Sequence, residues 1–234
     1  MVSVDTVYQR VLALANKEQR GYITPQEFNL LANQAQMVIF DQYFYDLEKF
    51  DNDYGNETEY SDMVKTLNEK LSIFKKFDTA LVKNGSFFEY PADMYKLGTL
   101  YYAPTSLLED GVEIEEIYYD QLLDYYNSPL TKPNKSRPLY IRREEGIRII
   151  SASAINSGVL ATYVRKPAKV NWGYVITLGE PMYNASAAVD FELHPSEQTE
   201  LVNKILGYAG ITLKDNSLYQ IASAEDNKNI QQEK

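Results

Sequence analysis

The spacing of apolar residues changes twice along this chain of 234 residues, and each change limits the folds that it can adopt. Up to residue 85 the apolar residues recur every three or four positions, which is typical of helices packed on one side. Over 86–193 they form short runs rich in β-branched and aromatic residues, separated by Pro, Gly, Asn and Ser, which indicates strands, the last two over Tyr174–Leu178 and Val189–Leu193. Glu144-Glu145-Gly146 predicts a hairpin turn between two of them, and Tyr119–Asn127 a short inserted helix. A helical spacing returns over 194–212.

The sequence therefore predicts an α+β fold with four parts. We expect an N-terminal helical bundle over 1–85 and an inserted β-rich domain, a sandwich or a barrel, over 86–193. A returning helix over 194–212 should pack on the bundle. Residues 213–234 are polar, and we expect an extended, flexible C-terminal tail that orders only on assembly.

The helical part predicts three helices, over Ser3–Glu18, Thr24–Asp53 and Ser61–Leu81. The second begins with a strong start signal, Thr24-Pro25-Gln26-Glu27. Thr24 can cap the free backbone N–H groups, Pro25 suits the first helical position, and Glu27 can reach back to the cap.

The second helix carries two unlike faces. One is apolar and typical of a core. The other bears uncharged amides and then aromatic rings where a surface helix normally has Lys and Glu, which suggests a second packing partner, either another part of this chain or another copy of it. We predict a subunit interface through this face, formed by Gln26, Asn29, Asn33, Gln36, Phe40, Tyr43 and Phe44.

Composition excludes several classes of site. The chain has no Cys and a single His, so disulfides, thiolate chemistry and a multi-histidine metal site are absent. It has neither a phosphate-binding glycine loop nor a dinucleotide motif, and we predict no cofactor. The net charge of −10 argues against tight binding of nucleic acid. It is compatible with an acidic surface that DNA passes without adhering to it.

No run of apolar residues is long enough to cross a bilayer, and the N-terminus lacks a signal-peptide pattern. We therefore expect a soluble protein made in a cytoplasm, with no membrane partner. The acidic loop 51–57 resembles the start of a calcium-binding loop but has Asp62 at the twelfth position, where a bidentate Glu is needed. We interpret it as a solvated loop and predict no metal site.

No catalytic set is visible, and we predict that the chain is not an enzyme. His194 precedes Pro195 in a helix-start signal, which explains it without catalysis. The adjacent carboxylates at Glu115-Glu116 and at 144–145 lie on strand-like runs, where neighbouring side chains point to opposite faces and cannot share one scissile bond.

Two other functions stay open at this point. The chain has 20 Tyr, and tyrosines such as Tyr101, Tyr102, Tyr118 and Tyr125 could stack on sugars in a carbohydrate-binding module. Alternatively, carboxylates brought together by the fold could act as a glycosidase pair in a hydrolase.

Several segments resemble structural proteins of crAss-like bacteriophages. The N-terminal match runs from Asn16-Lys17-Glu18-Gln19 through Thr24-Pro25-Gln26-Glu27-Phe28-Asn29 and Gln34-Ala35-Gln36 to Phe40. Further matches are Tyr126–Pro133, Tyr163–Pro167, and Glu192-Leu193-His194-Pro195 leading into Glu200-Leu201-Val202. The order of parts is also similar to that of tail-adaptor, or head-to-tail connector, proteins of short-tailed phages.

This resemblance implies a structural virion protein of the phage neck or tail, made in the host cytoplasm. It implies a homo-oligomeric ring of twelve copies, docked on the portal protein or a neighbouring ring, with DNA passing through the lumen without specific binding. The C-terminal tail would reach an adjacent protein, through the apolar residues Leu218, Tyr219, Ile221 and Ile230.

Overall fold

The computed structural model describes residues 1–16, 23–52 and 58–212. Six α-helices lie in these ranges: α1 Val4–Asn16, α2 Pro25–Asn52, α3 Thr58–Ser72, α4 Leu107–Asp110, α5 Leu122–Asn127 and α6 Gln198–Thr212. The strands are β1 Lys75–Ala80, β2 Lys83–Asn84, β3 Phe87–Phe88, β4 Met94–Tyr102, β5 Val112–Glu116, β6 Leu139–Arg143, β7 Gly146–Ile150, β8 Val159–Arg165, β9 Tyr174–Thr177 and β10 Glu180–Tyr183.

The chain forms two compact units. The first, called here the helical unit, comprises 1–73 and 167–234; the second, the sheet unit, comprises 74–166. The sequence-predicted boundaries, at 85/86 and 193/194, each lie further along the chain. The difference arises because residues 75–80 join the sheet, while residues 167–193 pack with the helices.

In the helical unit, α6 packs against α1 and α2, and α3 packs against α2. The start of α2 has the predicted capping box: the Thr24 N–H and hydroxyl both donate to Glu27 Oε2, at 3.0 and 2.8 Å, and the Glu27 N–H donates back to Thr24 Oγ1 at 3.3 Å. These hydrogen bonds hold the pKa of Glu27 below its ordinary value. The interior is apolar, with Val7, Phe28, Ile39, Leu201 and Ile205 among its fully buried residues.

The sheet unit holds one eight-stranded sheet in the order β1-β8-β4-β5-β6-β7-β3-β2, curled into a half-barrel. All neighbouring strands are antiparallel except β5 and β6, which are parallel. The predicted mixture of helices and strands is therefore found. The sheet ends at β1 and β2, so in the described residues it is neither a closed barrel nor a sandwich of two large sheets.

The third predicted helix is wrong beyond residue 72. Helix α3 ends at Ser72, and residues 75–80 form β1, which pairs with β8. Phe74 is fully buried, but Phe77, which would lie on the same side of the predicted helix, is 65% exposed. The spacing of apolar residues fitted a helix, yet the backbone hydrogen bonds available from β8 favour an edge strand here.

The predicted strand over 189–193 is also wrong, since this segment makes only isolated bridges, Val189 with Asn171 and Phe191 with Val2. By contrast, the expected hairpin turn before Gly146 connects β6 and β7 as predicted. The helical segment expected over 119–127 is present as a 3-10 turn, Tyr119–Gln121, followed by α5.

A candidate assembly surface on the helical unit

An extended segment, residues 168–172, lies along α2 and is held by the amide side chains of that helix. We call this segment the strap. Asn33 binds Val170 twice: its Nδ2 donates to the carbonyl oxygen at 2.8 Å, and its Oδ1 accepts the N–H at 2.9 Å. Asn29 binds Trp172 in the same way: its Oδ1 accepts the backbone N–H at 2.7 Å, and its Nδ2 donates to the carbonyl oxygen at 3.5 Å.

Gln36 continues the series at the other end of the strap. Its Nε2 donates to the Ala168 carbonyl oxygen at 2.8 Å, and its Oε1 accepts the Glu192 N–H at 3.2 Å. The amides thus pair with alternate strap residues, as a neighbouring strand would, because two residues of extended chain are close in length to one turn of helix.

For Asn29, Asn33 and Gln36, the packing partner shown by the structure is therefore another part of this chain. Gln36 is only 1% exposed, and Phe40 and Tyr43 are also buried. Gln26 is exposed, with a longer contact of 3.4 Å to the Tyr174 hydroxyl, and Phe44 is half-buried and packs edge-on against Phe40. These contacts lie within the chain, and the use of this face between copies stays a prediction.

The strap ends in an aromatic cluster. The Trp172 ring is buried against Tyr8, with the ring centres 4.4 Å apart, and its Nε1 donates to Asp5 Oδ1 at 3.0 Å. Tyr174 and Tyr183 lie beside the same indole, at 6.0 and 5.7 Å. Burial, with help from nearby Asp190 and Asp5, raises the pKa of Tyr183.

Directly after the strap, β9 and β10 form a two-stranded hairpin, residues 174–183, called here the hairpin. Its root, Tyr174 paired with Tyr183, is fixed by the Trp172 cluster. Beyond the root it exposes large apolar side chains on both faces and at its tip. They are Val175 at 51%, Ile176 at 68%, Leu178 at 101% and Met182 at 58% exposure.

The tip of the hairpin has an unfavourable residue for a free surface. Leu178 and Gly179 form the two-residue loop, with φ of 54° and 88°, so both lie in the left-handed region. Such loops favour Asn, Asp or Gly, since a side chain like Leu crowds the backbone there. A fully exposed Leu at this position therefore destabilises the turn and also leaves an apolar side chain in water.

Sequence reasoning identified β9 as a strand but missed the hairpin, because its second strand contains Pro181 and its loop has Leu in place of Asn. The signal that could have found it is the cluster of apolar residues around Leu178-Gly179. The predicted tail residues Leu218, Tyr219, Ile221 and Ile230, and most of the acidic loop 51–57, lie outside the described residues.

In the sheet unit, a cleft of about 510 Å³ is lined by the paired glutamates of β5. Although both line this cleft, the two carboxylates have separate partners. Glu115 binds Arg137 at 3.1 Å and accepts from the Tyr125 hydroxyl at 3.1 Å. Glu116 binds Arg142 at 2.6 Å and accepts from Tyr140 at 2.9 Å. Both are occupied in ion pairs that join β5 to neighbouring segments.

The four tyrosines weighed for sugar stacking do not share one exposed face. Tyr101 and Tyr102 are adjacent on β4 and so point to opposite sides of the sheet, with Tyr102 packed on its core. Tyr125 is half-buried with its hydroxyl on Glu115, while Tyr118 is 72% exposed.

His194 caps the turn before α6, as its sequence position predicts. Its Nδ1 accepts the Ser196 N–H at 3.3 Å and lies 2.8 Å from the Ser196 hydroxyl. The neighbouring Glu197 is buried and paired with Lys70 at 2.5 Å. Among the described residues, no group of three or more Asp, Glu or His side chains is arranged to hold a metal ion.

Comparison with known proteins gives no relative: no protein-family model matches the chain, and neither does any curated protein. Within residues 1–16, 23–52 and 58–212, no helix combines the length and the apolarity that crossing a bilayer requires.

Proposed function

We propose that this chain is a structural subunit of a bacteriophage head-to-tail connector, where identical copies form a ring that joins the portal or a neighbouring ring and surrounds the passing DNA. The observation that carries the proposal is the hairpin, a rigidly rooted element whose apolar side chains are exposed at its tip and on both faces. Monomeric proteins rarely expose contiguous apolar surface of this kind, and it marks sites of association.

The rest of the chain supports a structural role. The carboxylates that could have served a hydrolase are held in ion pairs with arginines, and the single histidine caps a turn. The phage assignment, with twelve copies, comes from the resemblance of the N-terminal segment to proteins of crAss-like phages. A net charge of −10 suits a channel that DNA must pass without being gripped.

Negative-stain electron microscopy of the purified chain tests this function. We expect closed rings with a central channel, and antibody labelling of the parent virion should mark its neck or tail. Light scattering that gives the mass of a single chain, at concentrations well above those used for imaging, would contradict the proposal. Binding to a glycan array by such a monomer would instead favour the carbohydrate-binding alternative.

A further inference from the structure

Helix α2 has a third face, which neither the core nor the strap covers. We call it the outer face. Its exposed residues recur every three or four positions, as one stripe of a helix does: Glu27, Leu30, Gln34, Val38, Asp41 and Tyr45. Three of them are large apolar residues with much of their surface in water, Leu30 at 73%, Val38 at 38% and Tyr45 at 67%. The helical unit therefore presents two separate apolar surfaces, the hairpin and the outer face.

We propose that the hairpin of one copy docks on the outer face of α2 in the next copy, so that each subunit gives its hairpin to one neighbour and receives the hairpin of the other. This inference rests on the proposed assembly into a ring and names the contact that builds it. Such a head-to-tail contact uses two different surfaces per copy and can repeat around a closed ring.

The available area favours this pairing. The apolar side chains of the hairpin and of the outer face together expose roughly 800 Å². The polar residues between them add to the area that such a contact would bury, so the pairing can reach the roughly 1,000 Å² of a credible biological interface. A contact between two hairpins would leave every outer face in water. One between two outer faces would leave every hairpin in water. The pairing of unlike surfaces covers both with a single kind of contact.

Charge argues against a membrane as the occupant. The hairpin carries Glu180 and no Lys or Arg, and the outer face carries Glu27 and Asp41. Surfaces that bind anionic lipid need basic residues beside their apolar ones. The occupant is therefore a protein surface, and the chain itself supplies one of matching chemistry.

Two single-residue variants test the pairing by complementation. Leu178→Lys spoils the hairpin and leaves the outer face intact, whereas Val38→Lys spoils the outer face and leaves the hairpin intact. Each variant alone should stay monomeric in light scattering. Mixed in equal amounts, they should form a dimer of one copy of each and nothing larger, because only one intact hairpin and one intact outer face remain to meet. Leu108→Lys, at an equally exposed leucine of α4, should assemble like the wild type.

The chain has no Cys, which allows a second readout. Copies with Leu178→Cys and copies with Val38→Cys should be joined by a short bismaleimide when mixed, and neither should be joined to itself. Met182→Cys replaces Leu178→Cys where that variant fails to assemble.

The outcomes separate the two proposals. Rings that form normally with Leu178→Lys or Val38→Lys overturn this contact and leave the proposed function standing, as does cross-linking of Leu178→Cys copies to one another. A wild-type chain that stays monomeric overturns both.

Discussion

Leu178 is poorly suited to its position on the surface of a free chain. It is fully exposed, and its φ of 54° lies in the region that a branched apolar side chain disfavours. The left-handed conformation costs about 1 to 2 kcal/mol for an ordinary residue, while Asn and Asp adopt it readily. Strain of this kind is usually kept where a functional contact needs the side chain.

Replacing Leu178 by Asn should therefore strengthen the turn by about 1 kcal/mol, compared in the Val38→Lys background so that both chains are monomeric. The hairpin amides should exchange with deuterium about fivefold more slowly, since 1 kcal/mol is that factor in an opening equilibrium. Leu108→Asn is the matched control, because this equally exposed leucine lies in a right-handed helix and should give no such gain. Unchanged exchange in Leu178→Asn would show that the turn is not strained.

Glu200, in the first turn of α6, gives a prediction about pH. Burial, with the nearby charge of Glu197, raises its pKa to about 7, although Lys204, at 3.2 Å, opposes the shift. The folded state thus holds a proton at Glu200 that the unfolded chain releases near pH 4.5. The free energy of unfolding should fall as the pH rises from about 4.5 to about 7, because over this range the folded state binds more protons.

Glu200→Gln should remove this part of the pH dependence and make the protein more stable than the wild type above pH 7. Urea unfolding at pH 5 and pH 8 measures the change in the free energy of unfolding. Glu144→Gln is the control, because Glu144 is an exposed carboxylate in the β6–β7 turn. Equal slopes with pH for the wild type and Glu200→Gln would refute the assignment.

At the scale of elements, the strap decides where the hairpin is placed. Its backbone groups have side-chain amides of α2 as partners, in the manner of a strand pairing with its neighbour. Each amide both donates and accepts, which explains why uncharged Asn and Gln occupy this face where Lys and Glu would be usual. A backbone group that loses its partner in such a half-buried setting destabilises the fold.

Asn33→Leu should lower the free energy of unfolding by about 2 kcal/mol, because the N–H and carbonyl of the buried Val170 both lose their partner. Gln9→Leu, at an exposed position of α1 outside the proposed contact, should change it by less than about 0.5 kcal/mol. Chemical denaturation compares the two. Equal effects would show that the amide contacts contribute nothing.

The amide face also shows how far the sequence could be interpreted. Its unusual chemistry correctly indicated a second packing partner, and the capping box correctly placed the start of α2. Nothing local distinguishes a partner 132 to 143 residues away in the chain from another copy, since an amide binds either backbone equally well. The break between α3 and β1 was missed for a similar reason: the pairing of residues 75–80 with β8 is non-local.

For the molecule as a whole, charge and apolar surface are distributed unevenly. Residues 74–166 contain 12 acidic and 12 basic side chains, so the entire net charge of −10 belongs to the helical unit, which also bears the hairpin and the outer face. A contact between copies through these surfaces would bring like charges together and must be held by apolar burial.

Assembly should therefore strengthen with salt. Raising the ionic strength from 0.1 M to 1 M shortens the screening length from about 10 Å to about 3 Å and weakens the repulsion between Glu180 and the carboxylates of the outer face. Sedimentation velocity at the two salt concentrations should show a larger assembled fraction at 1 M. Dissociation at 1 M would mean that ion pairs hold the copies together.

The mass of the wild-type particle in solution tests the central claim most directly. Multi-angle light scattering of the purified chain, run beside Leu178→Lys, should give a closed oligomer for the wild type and a folded monomer for the variant. Twelve copies is the number that the phage resemblance implies. A wild-type chain that elutes as a monomer at every concentration, with its hairpin and outer face exposed, would contradict the account.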